Sequence, residues 1–393
     1  MLIEIHGAGF ANKGAQLMLE KTIATLAERN PDYRFCIAAG RDRPPEEVGN
    51  LGLKFIWPSK ILEGRKGKFK PLFLMTNILS SFVSEARLKP YGLIKRSQVD
   101  GLIDISGFGF SDMWGPGPIR NFSLLAKYYA DRDRPVVMLP QMLGPFDEDT
   151  NQNLFKTMTS YCNLIYARDT KSYAIAQKYA TELRNVLLAP DITLFQSEAL
   201  NQNSPDRSNT VVLVPNMRVL DMGTDWKEAT YLAAMIDVGN RALANQYNVE
   251  IMIHETLGQD AILAEKIREG LGLSSSSIFA NEDPKKLKEK ISQSAFLVGS
   301  RFHSLAGALS TLTPTISIGW AHKYGQLLSD FGVGDFDIPS AADAHKIPSL
   351  IDSLLDDTQR KSITDRINDH KIKLTETNEA MWDRVTDVFS THN

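Results

Sequence analysis

Arg301 and His303 stand where an apolar run at 295–299 gives way to "RFHSLAGALS", whose small and apolar residues suit a helix until Pro314 stops it. A guanidinium and an imidazole at a helix start lie beside backbone N–H groups that have no partner within the helix. Together they favour an anionic ligand, and the imidazole adds a group that can carry a proton near neutral pH. The competing reading pairs Arg301 with an acid and leaves His303 as an ordinary helix-start residue.

Other stations repeat this pattern. "HGAGFANKGAQLML" sets Gly7, Gly9 and Gly14 around a strand-to-helix turn, with Asn12 and Lys13 at the helix start. It is not G-x-G-x-x-G, and no acidic residue in a suitable strand context follows about 20 residues later, so a dinucleotide site is not indicated. In "DISGFGFSDMWGPGP", Gly107 and Gly109 allow close backbone approach, Asp112 offers a carboxylate and Trp114 an apolar face of the kind sugars stack on. "LPQMLGPF" ends a strand with Gln141, and "YARD" ends another with Arg168, which reads as an anion clamp or as a salt bridge to Asp169 or Asp191. Further along, "LVPNMR" supplies Asn216 and Arg218, "MIHET" supplies His254, and "GWAHKY" supplies His322 and Lys323. Basic or polar groups at so many strand ends predict an interdomain cleft for a small, multiply charged anion. No H-E-x-x-H, Walker A or acidic cluster with metal spacing is present, so nothing visible requires a metal.

The elements that must position these groups are short apolar runs ("LIEI", "RFCIAA", "GLIDIS", "PVVMLP", "NLIYAR", "NVLLAP") alternating with helix-like stretches, the signature of βαβ units and a mainly parallel sheet. The polar stretch 196–209 reads as a linker, after which the alternation restarts with "TVVLVP". At 393 residues the chain exceeds the ~250–300 beyond which single cores tend to split. The expected fold is α/β, with two Rossmann-like domains at 1–200 and 208–357 around a cleft, similar to GT-B enzymes. A charged helical tail at 358–393 is expected to pack on the surface. Forty-four basic against 47 acidic residues give a net charge of −3, which argues against a partner bound through phosphate neutralisation such as nucleic acid. Cys36 and Cys162, far apart and outside any CxxC or Cys/His cluster, read as buried thiols of a reduced compartment. The start, "MLIEIHGAG", has no signal-peptide pattern, and no stretch approaches 18 apolar residues, so a soluble cytoplasmic protein is expected. Between Lys60 and Arg96, nine Lys/Arg and only Glu63 and Glu85 surround "PLFLMTNILSSFV". This segment, 60–96, is read either as a peripheral contact with the inner face of a membrane or a lipid-linked acceptor, or as a helix with a solvated basic face.

In this order the stations resemble the polysaccharide pyruvyl transferase family. The family patterns are met by Asn12-Lys13-Gly14-Ala15, "SGFGFSD", "PQMLGPF", "YARD", Ala189-Pro190-Asp191 and "RFHSL" followed by "ALSTLTPTISI", across about residues 5 to 330. Phe108 departs from the pattern, where members usually carry a third consecutive glycine. The resemblance implies a GT-B-like fold and transfer of the enolpyruvyl unit of phosphoenolpyruvate onto two sugar hydroxyls, giving a cyclic ketal and phosphate with no further cofactor. It maps Arg168, Arg301 and His303 onto phosphoenolpyruvate-binding and catalytic positions. On residue chemistry, His303 is then the expected general acid, Arg301 and Arg168 are clamps, and Asp112 is an acceptor-hydroxyl base or ligand. Arg218, Asn12, Gln141, His322 and Lys323 are expected to line the substrate. A GT-B glycosyltransferase using a nucleotide sugar has the same architecture, but it should show an acidic ribose ligand where "SIGWAHKYGQLL" offers cations. A sugar-binding protein without chemistry would not need His303.

Overall fold

Runs such as Val136–Leu139, apolar at every position, bury both faces and therefore form inner strands of a parallel sheet covered by helices on each side. In the computed structural model of the chain, the described residues are 1–10, 13–40, 42–57, 83–195, 207–221, 224–254, 259–281, 284–319 and 322–392. They form two units, 1–193 with 376–393, and 194–375.

The first unit carries β1 (Leu2–His6), β2 (Arg34–Ala38), β3 (Lys54–Trp57), β4 (Leu93–Lys95), β5 (Gly101–Asp104), β6 (Val136–Gln141), β7 (Leu164–Ala167) and β8 (Val186–Leu188). All pair in parallel, in the order β4-β3-β2-β1-β5-β6-β7-β8. The chain winds outward from β1 to β4 and then returns to lay β5 against the other side of β1. Strand order reverses between β1 and β5, and a doubly wound sheet opens a crevice at the carboxyl ends of such a pair. The second unit repeats the plan with β9 (Thr210–Val214), β10 (Asn248–Ile253), β11 (Ile278–Ala280), β12 (Phe296–Gly299), β13 (Thr315–Ile318) and β14 (Asp337–Ile338). Its order is β11-β10-β9-β12-β13-β14, again all parallel, and the reversal falls between β9 and β12.

Two sequence expectations are revised. The C-terminal helix Asp357–Ser390 is not a surface tail. Met381, Trp382, Val385 and Phe389 are buried in the core of the first unit with Ile3, Ile5, Leu26 and Phe35. Spaced at i, i+1, i+4 and i+8, they form one apolar stripe, and nearer the start of the same helix Ile363 and Ile367 are buried in the core of the second unit. In the basic segment 60–96, the part carrying the apolar run lies outside the described residues, while 93–95 form an edge strand of the sheet. Arg96 is no part of a solvated basic face. It is buried, and its Nε and Nη2 donate to Glu4 Oε2 and Oε1 at 3.0 and 2.9 Å. Among the described residues no helix is long and apolar enough to cross a membrane.

Candidate functional site

In the second unit the reversal point between β9 and β12 is tied together by a buried polar network. Ser300, which follows β12, donates its N–H to Val214 O at 2.9 Å, and its carbonyl accepts from Asn216 Nδ2 at 2.8 Å and Tyr324 OH at 3.1 Å. Asn216 Oδ1 in turn accepts from the Arg218 N–H at 3.0 Å. Asn216 therefore fixes the two strand ends relative to each other. The Arg218 side chain is 63% exposed and lies 3.8 Å from Asp221 of its own short helix.

Arg301 occupies the cap position of the Phe302–Ser310 helix with extended backbone, and its side chain does not cap. Its Nε and Nη2 both donate to Asp260 Oδ2, at 2.8 and 2.6 Å, while Asp260 Oδ1 accepts from Met217 N at 2.9 Å. Asp260 is fully buried, so the guanidinium is held in one orientation at the helix N-terminus, with its side chain 20% exposed. The acid partner considered from the sequence is present, and it serves as the support that aims the guanidinium. His303, second residue of the helix, is exposed. Its ring stacks on His254, which follows β10, with centroids 6.2 Å apart, and meets Phe302 edge-on at 5.9 Å. Lys323 Nζ lies 5.4 Å from the centre of the Phe302 ring, which brings it to the same helix start. His322 opens the His322–Asp330 helix, and its side chain is outside the described residues, as is Asn12.

Burial, then the neighbouring His303 and Arg301, push the pKa of His254 down from 6.5 to about 3. Of these causes, the nearby Arg301 charge is the one that would also favour an anion. Because the folded-state pKa is depressed, the neutral imidazole's contribution to stability is complete above about pH 6.5 and is lost as pH falls towards 3. Acid unfolding followed by circular dichroism should therefore show a loss beginning below pH 6.5 that is smaller in His254→Gln. A wild-type and variant difference that does not change with pH would exclude His254 as the titrating group.

In the first unit Arg168 follows β7, and its Nη1 donates to Asp191 Oδ2 at 3.0 Å, with both side chains largely buried. Asp191 Oδ1 also accepts from Thr193 N and Oγ1, at 3.0 and 2.8 Å. Of the two sequence readings of Arg168, the salt bridge to Asp191 is the one seen, and Asp169 instead caps the next helix through Ser172 N at 2.7 Å. Asp112 accepts from Asn151 Nδ2 at 2.6 Å and from the N–H groups of Asp147 and Glu148. Burial raises its pKa, but these hydrogen bonds outweigh that and leave it lowered. A carboxylate so held pins the 111–115 loop to the start of the Asp149–Thr159 helix and is a poor base.

Reading the sequence missed His6 and Asp104, the paired last residues of β1 and β5. His6 Nδ1 lies 2.6 Å from Asp104 Oδ1, which also accepts from Ser106 Oγ at 2.7 Å; Asp104 Oδ2 accepts from Gln141 Nε2 at 2.7 Å. Gln141 thus holds Asp104 rather than facing outward, and its Oε1 is buried without a hydrogen-bond partner among the described residues. Gly7, at φ +79°, leads the chain away from this pair. A Cβ there would stand 2.4 Å from Ser106 Oγ, so only glycine fits. The available signal was the ending of two buried strands on an ionisable residue. Among the described residues no three potential metal ligands converge.

The chain matches the polysaccharide pyruvyl transferase family over residues 12–322. It is similar to the amylovoran biosynthesis protein AmsJ of Erwinia amylovora, with 22% identity over 292 residues, 67% of each chain. Among solved structures it resembles a UDP-GlcNAc 2-epimerase of Neisseria meningitidis, with a TM-score of 0.58 and 12% identity, covering 96% of this chain and 99% of that one. A glycosyltransferase of Rickettsia africae gives a TM-score of 0.56 at 12% identity, covering 98% of both chains. These likenesses establish the expected GT-B-like fold of Rossmann-like units.

Proposed function

The chain belongs to the polysaccharide pyruvyl transferase family, and from that premise we propose that it transfers pyruvate from phosphoenolpyruvate to two hydroxyls of a sugar in a polysaccharide precursor, forming a ketal and releasing phosphate. The observation that carries this reading is the helix start at Phe302, where Arg301 is aimed by the buried Asp260 and His303 is exposed. A compact carboxylate-phosphate wants a planar guanidinium, a second cation and a helix N-terminus, and Arg301, Lys323 and the Phe302–Ser310 helix supply the three. His303 is then the acid that protonates the methylene carbon as C2 takes on oxocarbenium character. Among the remaining expected substrate residues, Arg168 and Gln141 act by holding Asp191 and Asp104.

Phosphoenolpyruvate should stabilise the fold, by about 2.7 kcal/mol at 100 times its dissociation constant. Phosphate should be released when glycoside acceptors are added. A melting temperature unmoved by phosphoenolpyruvate but raised by a UDP-sugar would replace this reading with nucleotide-sugar transfer. Arg301→Lys should weaken phosphoenolpyruvate binding although the charge is kept, because a point charge cannot pair with Asp260 and an anion in one plane. Titration calorimetry that found equal affinity would put Arg301 outside the donor site.

A further inference from the structure

The loop that follows β5, at the carboxyl edge of the first sheet, turns apolar side chains outward. Met113 and Trp114 are consecutive and 68% and 53% exposed, and the half-buried Phe108 ring meets the indole edge-on, with centroids 6.2 Å apart. Single exposed apolar residues are ordinary, whereas an adjoining group on a fixed loop marks a contact site. The backbone beneath this group is tied down. Phe110 bridges to Leu143, Met142 N donates to Gly107 O and Gly144 N to Phe110 O, both at 2.8 Å, and Asp112 N donates to Pro145 O at 3.0 Å. Trp114 N closes the turn on Ser111 O at 3.2 Å, and Gly115, at φ +67°, leads out of it. An indole carried on so constrained a loop loses little freedom when it meets a ligand.

What the loop lacks narrows the occupant. Between Ile105 and Pro118 there is no lysine or arginine, and the one acid, Asp112, is engaged by Asn151 and the N–H groups of Asp147 and Glu148. An anionic lipid surface would ask for cations. Two rings and a thioether are also far short of the ~800 Å² per partner that a stable protein interface buries. A pyranose fits: the C–H groups on one side of its ring form an apolar, slightly positive face that lies flat on the negative face of an indole. We propose that Trp114, propped by Phe108 and extended by Met113, is the platform on which the first unit binds a pyranose ring of the saccharide the protein acts on. The platform rests on the saccharide part of the reading above and is independent of the donor.

The experiment applies the full chain to an array of pyranose di- to tetrasaccharides without phosphoenolpyruvate, and titrates the glycan that wild type retains best into wild type, Trp114→Ala, Trp114→Tyr, Phe108→Gly and Tyr91→Ala by calorimetry. Melting temperatures check that each variant is folded. Trp114→Ala should bind about 10-fold or more weakly, Trp114→Tyr should recover most of the affinity, and Phe108→Gly should lose about 2- to 10-fold, the worth of an edge-on aromatic pair. Tyr91→Ala, which removes a 77% exposed aromatic outside the loop, should bind like wild type. No glycan retained by wild type overturns the platform, as does unchanged affinity in Trp114→Ala or an equal loss in Tyr91→Ala. Should Trp114→Ala fail to fold, unchanged affinity in Phe108→Gly overturns it instead. Phosphate release from phosphoenolpyruvate is read on the same wild-type protein. Binding that depends on Trp114 with no phosphate released leaves the platform standing and overturns pyruvyl transfer; release without such binding does the reverse.

Discussion

His303→Ala and His303→Gln should each cut turnover by about 10²-fold or more, while phosphoenolpyruvate affinity changes little. The exposed ring sits on the first turn of the Phe302–Ser310 helix and stacks on a histidine that burial keeps neutral. A neutral imidazole at 6.2 Å leaves His303 as the member of the pair able to deliver a proton. A bound phosphate at the helix start would favour its protonated form, which a general acid requires. Turnover is read by phosphate release, and affinity by the ligand-induced shift in melting. Loss of affinity with turnover intact would make His303 a binding group. Near-normal turnover would move the search for the acid to His322 and Lys323.

The largest expected effect on stability lies away from the chemistry. Glu4, in the middle of β1, is 1% exposed; Arg96 grips it through two hydrogen bonds, and Tyr129 OH donates to it at 2.5 Å. Arg96→Ala should destabilise the first unit by about 3–5 kcal/mol, because it strands a carboxylate inside the sheet core. Burial lowers the pKa of Arg96, but Glu4 and Tyr129 outweigh this and raise it, so the guanidinium stays charged across the working range. Replacing both partners with apolar residues, Glu4→Leu with Arg96→Met, should cost much less than the single change, since no charge is then left behind. Urea denaturation of wild type and the two variants checks the ordering. A single variant no worse than the double would mean that the pair is not desolvated.

The strands and their parallel pairing were legible because each is a short apolar run with a helix-compatible stretch after it, as with "PVVMLP" and "LIEI". Arg301 and His303 were legible for the same local reason, a cation and an imidazole at a strand-to-helix junction. Their supports were not. Asp260 lies 41 positions from Arg301, and His6 and Asp104 lie 98 apart. Such pairings are set by sheet order, which no local pattern encodes. Arg96 was misread as one more charge of a basic stretch because its partner sits on β1, two strands away in the sheet from β3. The Trp382 stripe was diluted by a 34-residue helix rich in charged and polar positions, in which a few apolar residues carry a burial that average composition hides.

That returning helix has a consequence for the order in which the molecule can be made. Trp382 and Phe389 close an interior whose other walls, Ile3 and Phe35 among them, leave the ribosome first. At about 5–20 residues per second, translation from residue 193 to residue 389 takes roughly 10–40 s. Throughout that interval the first-made unit has its sheet but lacks the plug, while the later-made unit already has all of its strands by residue 338. The half synthesised first is thus the half completed last, and a nascent chain halted near residue 375 would show protease resistance in its C-terminal portion before its N-terminal one.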